Sequence, residues 1–358
     1  MMKDAISSLL KEGNVEGAIE LVLPLEDKML KLELLCYMME ELGEKYKEYP
    51  VLLSEAVSLA LSPVEDKEKV RALGMLSHAL ASAGDSEKAE KYMIEALKIA
   101  KKIEYPLWKA EALAYVAYYL GMMGTTSDAF YYFNVALETA ERSKEQYSAI
   151  LQVLSLIAEL AIEVGDSLNT GEAVDFYSIA RDIYTSIKKF VSANELENKI
   201  KLVEDAIKNG SFAVKRAIAE GDIDRAITAV KYLPPEGKAI ALLDIAYWLF
   251  LHERKDLAKT LLADVYNMFF VEKVRPNDIE LIAVAHKFIK IGLVDEALIL
   301  VGIIQDKNEA SKALYEIALG YARFGKKAKA LSIAEGIPNE LLREKALKKL
   351  GDKNVGYE

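Results

Sequence analysis

One cysteine and three histidines in 358 residues leave little material for thiol or metal chemistry. Cys36 alone can build neither a disulfide framework nor a Cys-rich zinc module. It sits in Leu34-Leu-Cys-Tyr-Met, an apolar helix-like run that reads as a buried, inert thiol. His78, His252 and His286 are far apart in sequence, which speaks against a histidine metal site or triad. Nucleotide and protease signatures are missing as well. Gly237-Lys238 and Gly325-Lys326 are followed by residues that break the phosphate-loop pattern, and His252-Glu253 does not continue into H-E-x-x-H. Asp222-Ile-Asp224 lacks the later ligands of a calcium loop, so it reads as a helix N-cap with first-turn acids. No enzyme chemistry, cofactor or metal is expected.

Long apolar runs are also scarce. No stretch approaches the ~18 consecutive apolar residues of a membrane span; the richest, residues 239–251, contains Asp244. Lys11 and Glu12 interrupt any secretory leader, and the chain reads as cytoplasmic with no membrane partner. Only three glutamines stand beside abundant Glu and Lys, which leans towards a heat-adapted source.

What the chain does have is 52% hydrophobic residues, 28% charged residues and a repeat. Leu73, Leu76, Leu80, Gly84, Ala89, Met93 and Ala96 recur 40 positions later as Leu113, Val116, Leu120, Gly124, Ala129, Phe133 and Ala136. Apolar residues three and four apart share one helix face. The glycine ends that helix, Asp85 or residues 125–127 cap the next, and the small residue five past the glycine lets the helices approach. The unit is a helical hairpin. It returns as Leu281, Val284, Ala285, Phe288, Gly292, Ala297 and as Leu314, Ile317, Ala318, Tyr321, Gly325, Ala330. Leu242 to Ala258 fit with Glu253 in the glycine place, and Gly13/Ala18 and Gly221/Ala226 keep the turn. After Gly43 and Gly165 the small residue is delayed to Ala56 and Ala173, which predicts inserted turns, either helix extensions or binding loops. The count is about nine antiparallel hairpins, an odd helix near 193–208 and a C-terminal helix over 341–350. No alternating strand pattern competes, so the class is all-α, an α-α superhelix or solenoid.

The segment from Leu113 to Ala136, with Val116-Ala117, Gly124, Ala129 and Phe133, resembles a tetratricopeptide repeat, and residues 73–96 resemble it nearly as well. Good matches cover about half the chain. Turn glycines 84, 124 and 165 are 40 and 41 apart rather than the family's ~34. The closing proline is mostly absent, so the expectation is a tetratricopeptide-like α-solenoid. The resemblance implies a protein- or peptide-binding scaffold whose first helices line a concave face. In the family some members clamp a peptide carboxylate with Lys and Asn; here those places hold Gly74, His78, Ala114 and Tyr118, which does not support that clamp.

Periodicity is weakest over 188–210, where a charged helix ends at Asn209-Gly210. This suggests two superhelical halves, 1–210 and 211–358, or one continuous solenoid with a longer repeat. Residues 1–200 carry 21 basic and 33 acidic side chains, the remainder 25 and 23. Lys326-Lys327-Ala-Lys329 and residues 343–353 are basic, and cations near a helix C-terminus account for them better than a nucleic-acid stripe. No nucleic-acid partner is expected, and a basic protein partner would favour the acidic half. Six residues before each turn position stand Tyr37, His78, Tyr118, Glu159, Tyr247 and His286, with Tyr315 nearby. This column is the candidate partner-binding surface, since tyrosine offers a large rigid face with a polar tip. Packing between adjacent repeats is the competing use of the same rings. A second function class, a regulatory module binding a small ligand within the superhelix, fits the same architecture.

Overall fold

The computed structural model describes residues 2–351, and among them are twenty α-helices, one 3-10 helix and no strand. Nine hairpins and two single helices account for all twenty, so the protein is an all-α helical repeat. The chain divides into two compact units, Met1–Lys201 and Leu202–Glu358.

The first unit holds five hairpins: α1 (Met2–Lys11) with α2 (Val15–Val22), α3 (Lys28–Leu42) with α4 (Pro50–Leu61), α5 (Asp66–Ser82) with α6 (Ser86–Lys102), α7 (Pro106–Met122) with α8 (Thr126–Glu141), and α9 (Tyr147–Ser167) with α10 (Ala173–Ser186). Single helix α11 (Phe190–Asn209) contains the division between the units. The second unit continues with α12 (Ser211–Ala219) and α13 (Ile223–Val230), α14 (Pro235–Leu251) and α15 (Lys255–Phe270), α16 (Asp278–Lys290) and α17 (Val294–Val301), α18 (Lys307–Arg323) and α19 (Lys327–Glu335), then α20 (Glu340–Gly351). In the first unit α1, α3, α5, α7 and α9 pack each on the next and form an inner row. In the second, α12, α14, α16, α18 and α20 do the same.

The repeat pattern produces this packing directly. Leu73, Leu76, Leu80, Leu113 and Val116 are buried, each worth about 1.5–3 kcal/mol on transfer from water. The small residues Ala18, Ala89, Ala129, Ala226, Ala258, Ala297 and Ala330 are all at most 1% exposed, so any larger side chain there would force a hairpin apart. The turns share one hydrogen-bond scheme. Asp85 N donates to Leu80 O at 2.8 Å and Gly84 N to Ala81 O at 3.0 Å, with φ of 83° at Gly84. Thr125, Gly124, Leu120 and Gly121 repeat it at 2.9 and 3.0 Å. These are Schellman turns, which need a left-handed residue. Asp85 then caps α6 by accepting from Lys88 N at 3.3 Å, and Asp222 caps α13 from Arg225 N at 3.0 Å.

The two irregular hairpins have different causes. After Gly43 the inserted turn is the 3-10 helix Gly43–Glu48, anchored by Tyr46, which is 1% exposed. Gly165 corrects the expectation of a turn glycine: it lies inside α9, which runs on to Ser167. A Cβ at Gly165 would stand 2.7 Å from the Tyr177 ring, so the glycine serves close approach and not chain reversal. Helix α9 also differs from the count of consecutive apolar residues, because by length and composition it could cross a membrane. Its apolar side, including Val153, Ile157, Leu160 and Val164, is instead buried against α7 and α10.

Candidate functional site

The inner row of the first unit encloses a cleft of ≈450 Å³, to which α1, α3, α5, α7 and α9 each contribute. Its lining follows from helical spacing. Glu33, Tyr37 and Glu40 lie four and three apart on α3; Leu156, Glu159 and Glu163 are spaced likewise on α9. Arg71 and Met75 come from α5, Tyr115 and Tyr118 from α7. Four carboxylates face two cations, Lys3 and Arg71.

The rings are held in place from below. Tyr118 meets Tyr119 edge-on, with centroids 4.9 Å apart and planes at 67°. Tyr119 is 7% exposed and lies on Gly74, where a Cβ would stand 2.2 Å from Cδ2. Burial raises the Tyr119 hydroxyl well above the ordinary tyrosine range. Tyr118 is pushed up to about 12, first by burial, then by the charge and hydrogen bond of Glu163 and the charge of Glu40. Negative charge from α3 and from α9 therefore converges on one phenol of α7. Cys36 is 2% exposed beneath the cleft, and burial followed by Glu40 and Glu33 drives its thiol far up, so it stays protonated and inert.

The sequence column is only partly reassembled. Tyr37, Tyr118 and Glu159 line the cleft together. His78 does not line it; its Nδ1 donates to Glu40 Oε1 at 3.1 Å and so holds that carboxylate. In the second unit Tyr247 is half-buried and stacked on Phe288 of the next inner helix, with centroids 6.3 Å apart and planes at 18°. His286 is exposed on α16. Tyr315 corrects the expectation of a groove residue: it is 9% exposed and packs with Ala318, Ala334, Ile337 and Ala346. The C-terminal helix α20 covers it, since α20 continues the inner row.

Glu40 and Glu163 went unnamed in the sequence column, although each lies one turn beyond a column residue on the same face. Asp244 is a further buried charge, 3% exposed on α14, with Lys287 Nζ at 2.6 Å from Oδ1 and Lys215 Nζ at 3.9 Å from Oδ2. It ties α12, α14 and α16 together. A larger cleft of ≈730 Å³ lies between α4 and α6; Val57, Leu61 and Ile94 line it with three carboxylates (Glu87, Glu90, Glu95) and two lysines (Lys91, Lys98), but it holds one aromatic ring, Tyr92, where the first-unit cleft holds several. Among the described residues no group of three His, Cys, Asp or Glu is placed to hold a metal ion.

No family model matches the chain, and no curated protein matches it. Among solved structures the chain is similar to Ton1535 from Thermococcus onnurineus NA1, at 25% identity and a TM-score of 0.58, over 98% of this chain and 99% of that one. A circular tandem repeat protein with novel repeat topology aligns at 12% identity over 98% of this chain and 82% of its own. Its TM-score of 0.21 is too low for the two folds to be compared.

Proposed function

We propose that the protein is a non-enzymatic interaction scaffold of tetratricopeptide-like type, binding a protein or peptide segment on the inner helices. The observation that carries this reading is the cleft of the first unit, where Tyr37, Tyr115 and Tyr118 stand among Glu40, Glu159 and Glu163. Half-buried tyrosines ringed by charge are the composition of binding hot spots. Four carboxylates against two cations favour a basic partner, in keeping with the acidic composition of residues 1–200. The likeness to a protein of Thermococcus supports a heat-adapted source, and we read the protein as cytoplasmic.

A pull-down from the native source with the wild type and a Tyr37→Ala/Tyr118→Ala variant tests this reading. Loss of the recovered partner in the variant is expected; equal recovery defeats the assignment. The cleft volume also favours a second reading, a regulatory module that takes a small ligand. That reading expects a small molecule to raise Tm in the absence of any protein partner.

A further inference from the structure

Four tyrosines line the cleft of the first unit; Tyr119 is buried against Tyr118, and of the three more open rings two already carry a cation of this chain. Lys3 Nζ lies 5.8 Å from the Tyr37 centroid, and Arg71 Cζ lies 5.1 Å from that of Tyr115. Among the described residues no Lys or Arg stands over Tyr118. The α3 carboxylates here already have partners: Glu33 meets Lys3 Nζ at 2.6 Å, and Glu40 accepts a hydrogen bond from His78 at 3.1 Å. Glu159 and Glu163 are exposed on α9, and among the described residues neither has a Lys or Arg within ion-pair distance. One aromatic face therefore remains open, with carboxylates beside it and no internal cation to fill it.

We propose that this cleft takes an arginine side chain of a partner peptide, its guanidinium over the Tyr118 ring and within reach of Glu159 and Glu163. The proposal rests on the scaffold reading and names what the partner must present. A ring face attracts a cation by its quadrupole, more strongly where water is displaced. Arginine fits better than lysine because its planar fork can stack on a ring while its edge donates to two carboxylates. An ammonium is compact and strongly hydrated and satisfies one such contact at a time. Arg71 opposes a second positive charge, but its guanidinium is turned to Tyr115. A volume of ≈450 Å³ admits one extended side chain with its flanking peptide units and not a folded element.

The probe is an acetylated, amidated heptapeptide, Gly-Ala-Leu-Arg-Leu-Ala-Gly, titrated into the full chain carrying ring-labelled tyrosine and followed by NMR. Counterparts replace the arginine with lysine or with citrulline, which keeps the shape and loses the charge. The Tyr118 resonance, assigned with Tyr118→Phe, is expected to shift with the arginine peptide. Citrulline should weaken binding by about tenfold or more and lysine by several-fold. Tyr118→Ala and Glu163→Gln should each weaken it by about 5–30-fold, while Tyr118→Phe, which keeps the ring, should change it by about threefold or less. Glu163 is exposed, so its variant remains informative if Tyr118→Ala fails to fold. Three results overturn the proposal: no shift at Tyr118, equal affinity for the citrulline or lysine peptide, or unchanged affinity in Glu163→Gln. If partner recovery is still lost in Tyr37→Ala/Tyr118→Ala, any of these overturns the arginine assignment alone. Equal recovery by that variant overturns the scaffold reading itself.

Discussion

At residue 253 the hairpin turn requires a left-handed backbone, and the chain places a glutamate there with φ of 60°. The Schellman bonds are kept, with Arg254 N to Leu249 O at 2.9 Å and Glu253 N to Phe250 O at 3.3 Å. A non-glycine residue in this region is strained by roughly 1–2 kcal/mol, so Glu253→Gly should raise stability by about 1 kcal/mol in urea denaturation. A fall in stability would mean that the Glu253 side chain makes a contact worth more than the strain. Gly74 presents the opposite case. Its missing Cβ makes room for the Tyr119 ring, which is enclosed and cannot move away. Gly74→Ala should cost about 1–3 kcal/mol by the same measurement and disturb the Tyr118 edge contact above it. The two uses of glycine explain what the sequence concealed. A glycine that reverses the chain, such as Gly124, and one that admits a ring, such as Gly165, are the same letter. Spacing alone therefore placed a turn where α9 continues.

Neighbouring elements are fastened by a tyrosine–aspartate–lysine device that recurs at the hairpin ends. Tyr46 donates to Asp85 at 2.6 Å and Lys88 Nζ lies 2.6 Å from the same oxygen. Tyr177 donates to Asp166 at 2.7 Å with Lys199 at 2.8 Å, and Tyr321 donates to Asp295 at 2.7 Å with Lys326 and Lys329 at 3.0 and 2.9 Å. The inserted 3-10 helix after Gly43 thus pins the second hairpin to the turn of the third and is structural. The Lys88 ammonium, then the Tyr46 hydroxyl, holds the Asp85 carboxyl down at about 2. Its ordinary value is near 3.9. The folded state therefore prefers the ionised form, and that contribution is full above about pH 4–5 and fades as pH falls towards 2. Between pH 5 and pH 2.5 the wild type should lose more stability to urea than Asp85→Asn does; parallel losses would show that the pair contributes nothing. The hairpins themselves were legible, because 3.6-residue faces and buried alanines are local signals. The pins were not. Tyr46 and Asp85, and Tyr321 and Asp295, stand 39 and 26 residues apart and meet only once successive hairpins stack, while Tyr177 and Asp166 meet when the α9–α10 hairpin closes.

Across the whole molecule the charge is uneven, with a net −12 over residues 1–200 and +2 over the remainder. The sequence showed this imbalance, and its tyrosine column placed three residues of the cleft on one surface. It could not show that α20 covers Tyr315, nor that Glu40 and Glu163 bear on one phenol, since both depend on which inner helices become neighbours. If charge steers a basic partner to the first unit, the association rate should fall by roughly tenfold between low and physiological salt, while dissociation changes little. A rate indifferent to salt would exclude steering. The central claim is that a partner sits against the inner helices of the first unit. Photo-crosslinking from a benzoylphenylalanine at position 118 tests it most directly, with position 131, a tyrosine 60% exposed on α8, as the outer-face control. A partner captured at position 118 and absent at position 131 is the expected result. Capture at 131 alone, or equally at both, would contradict the account.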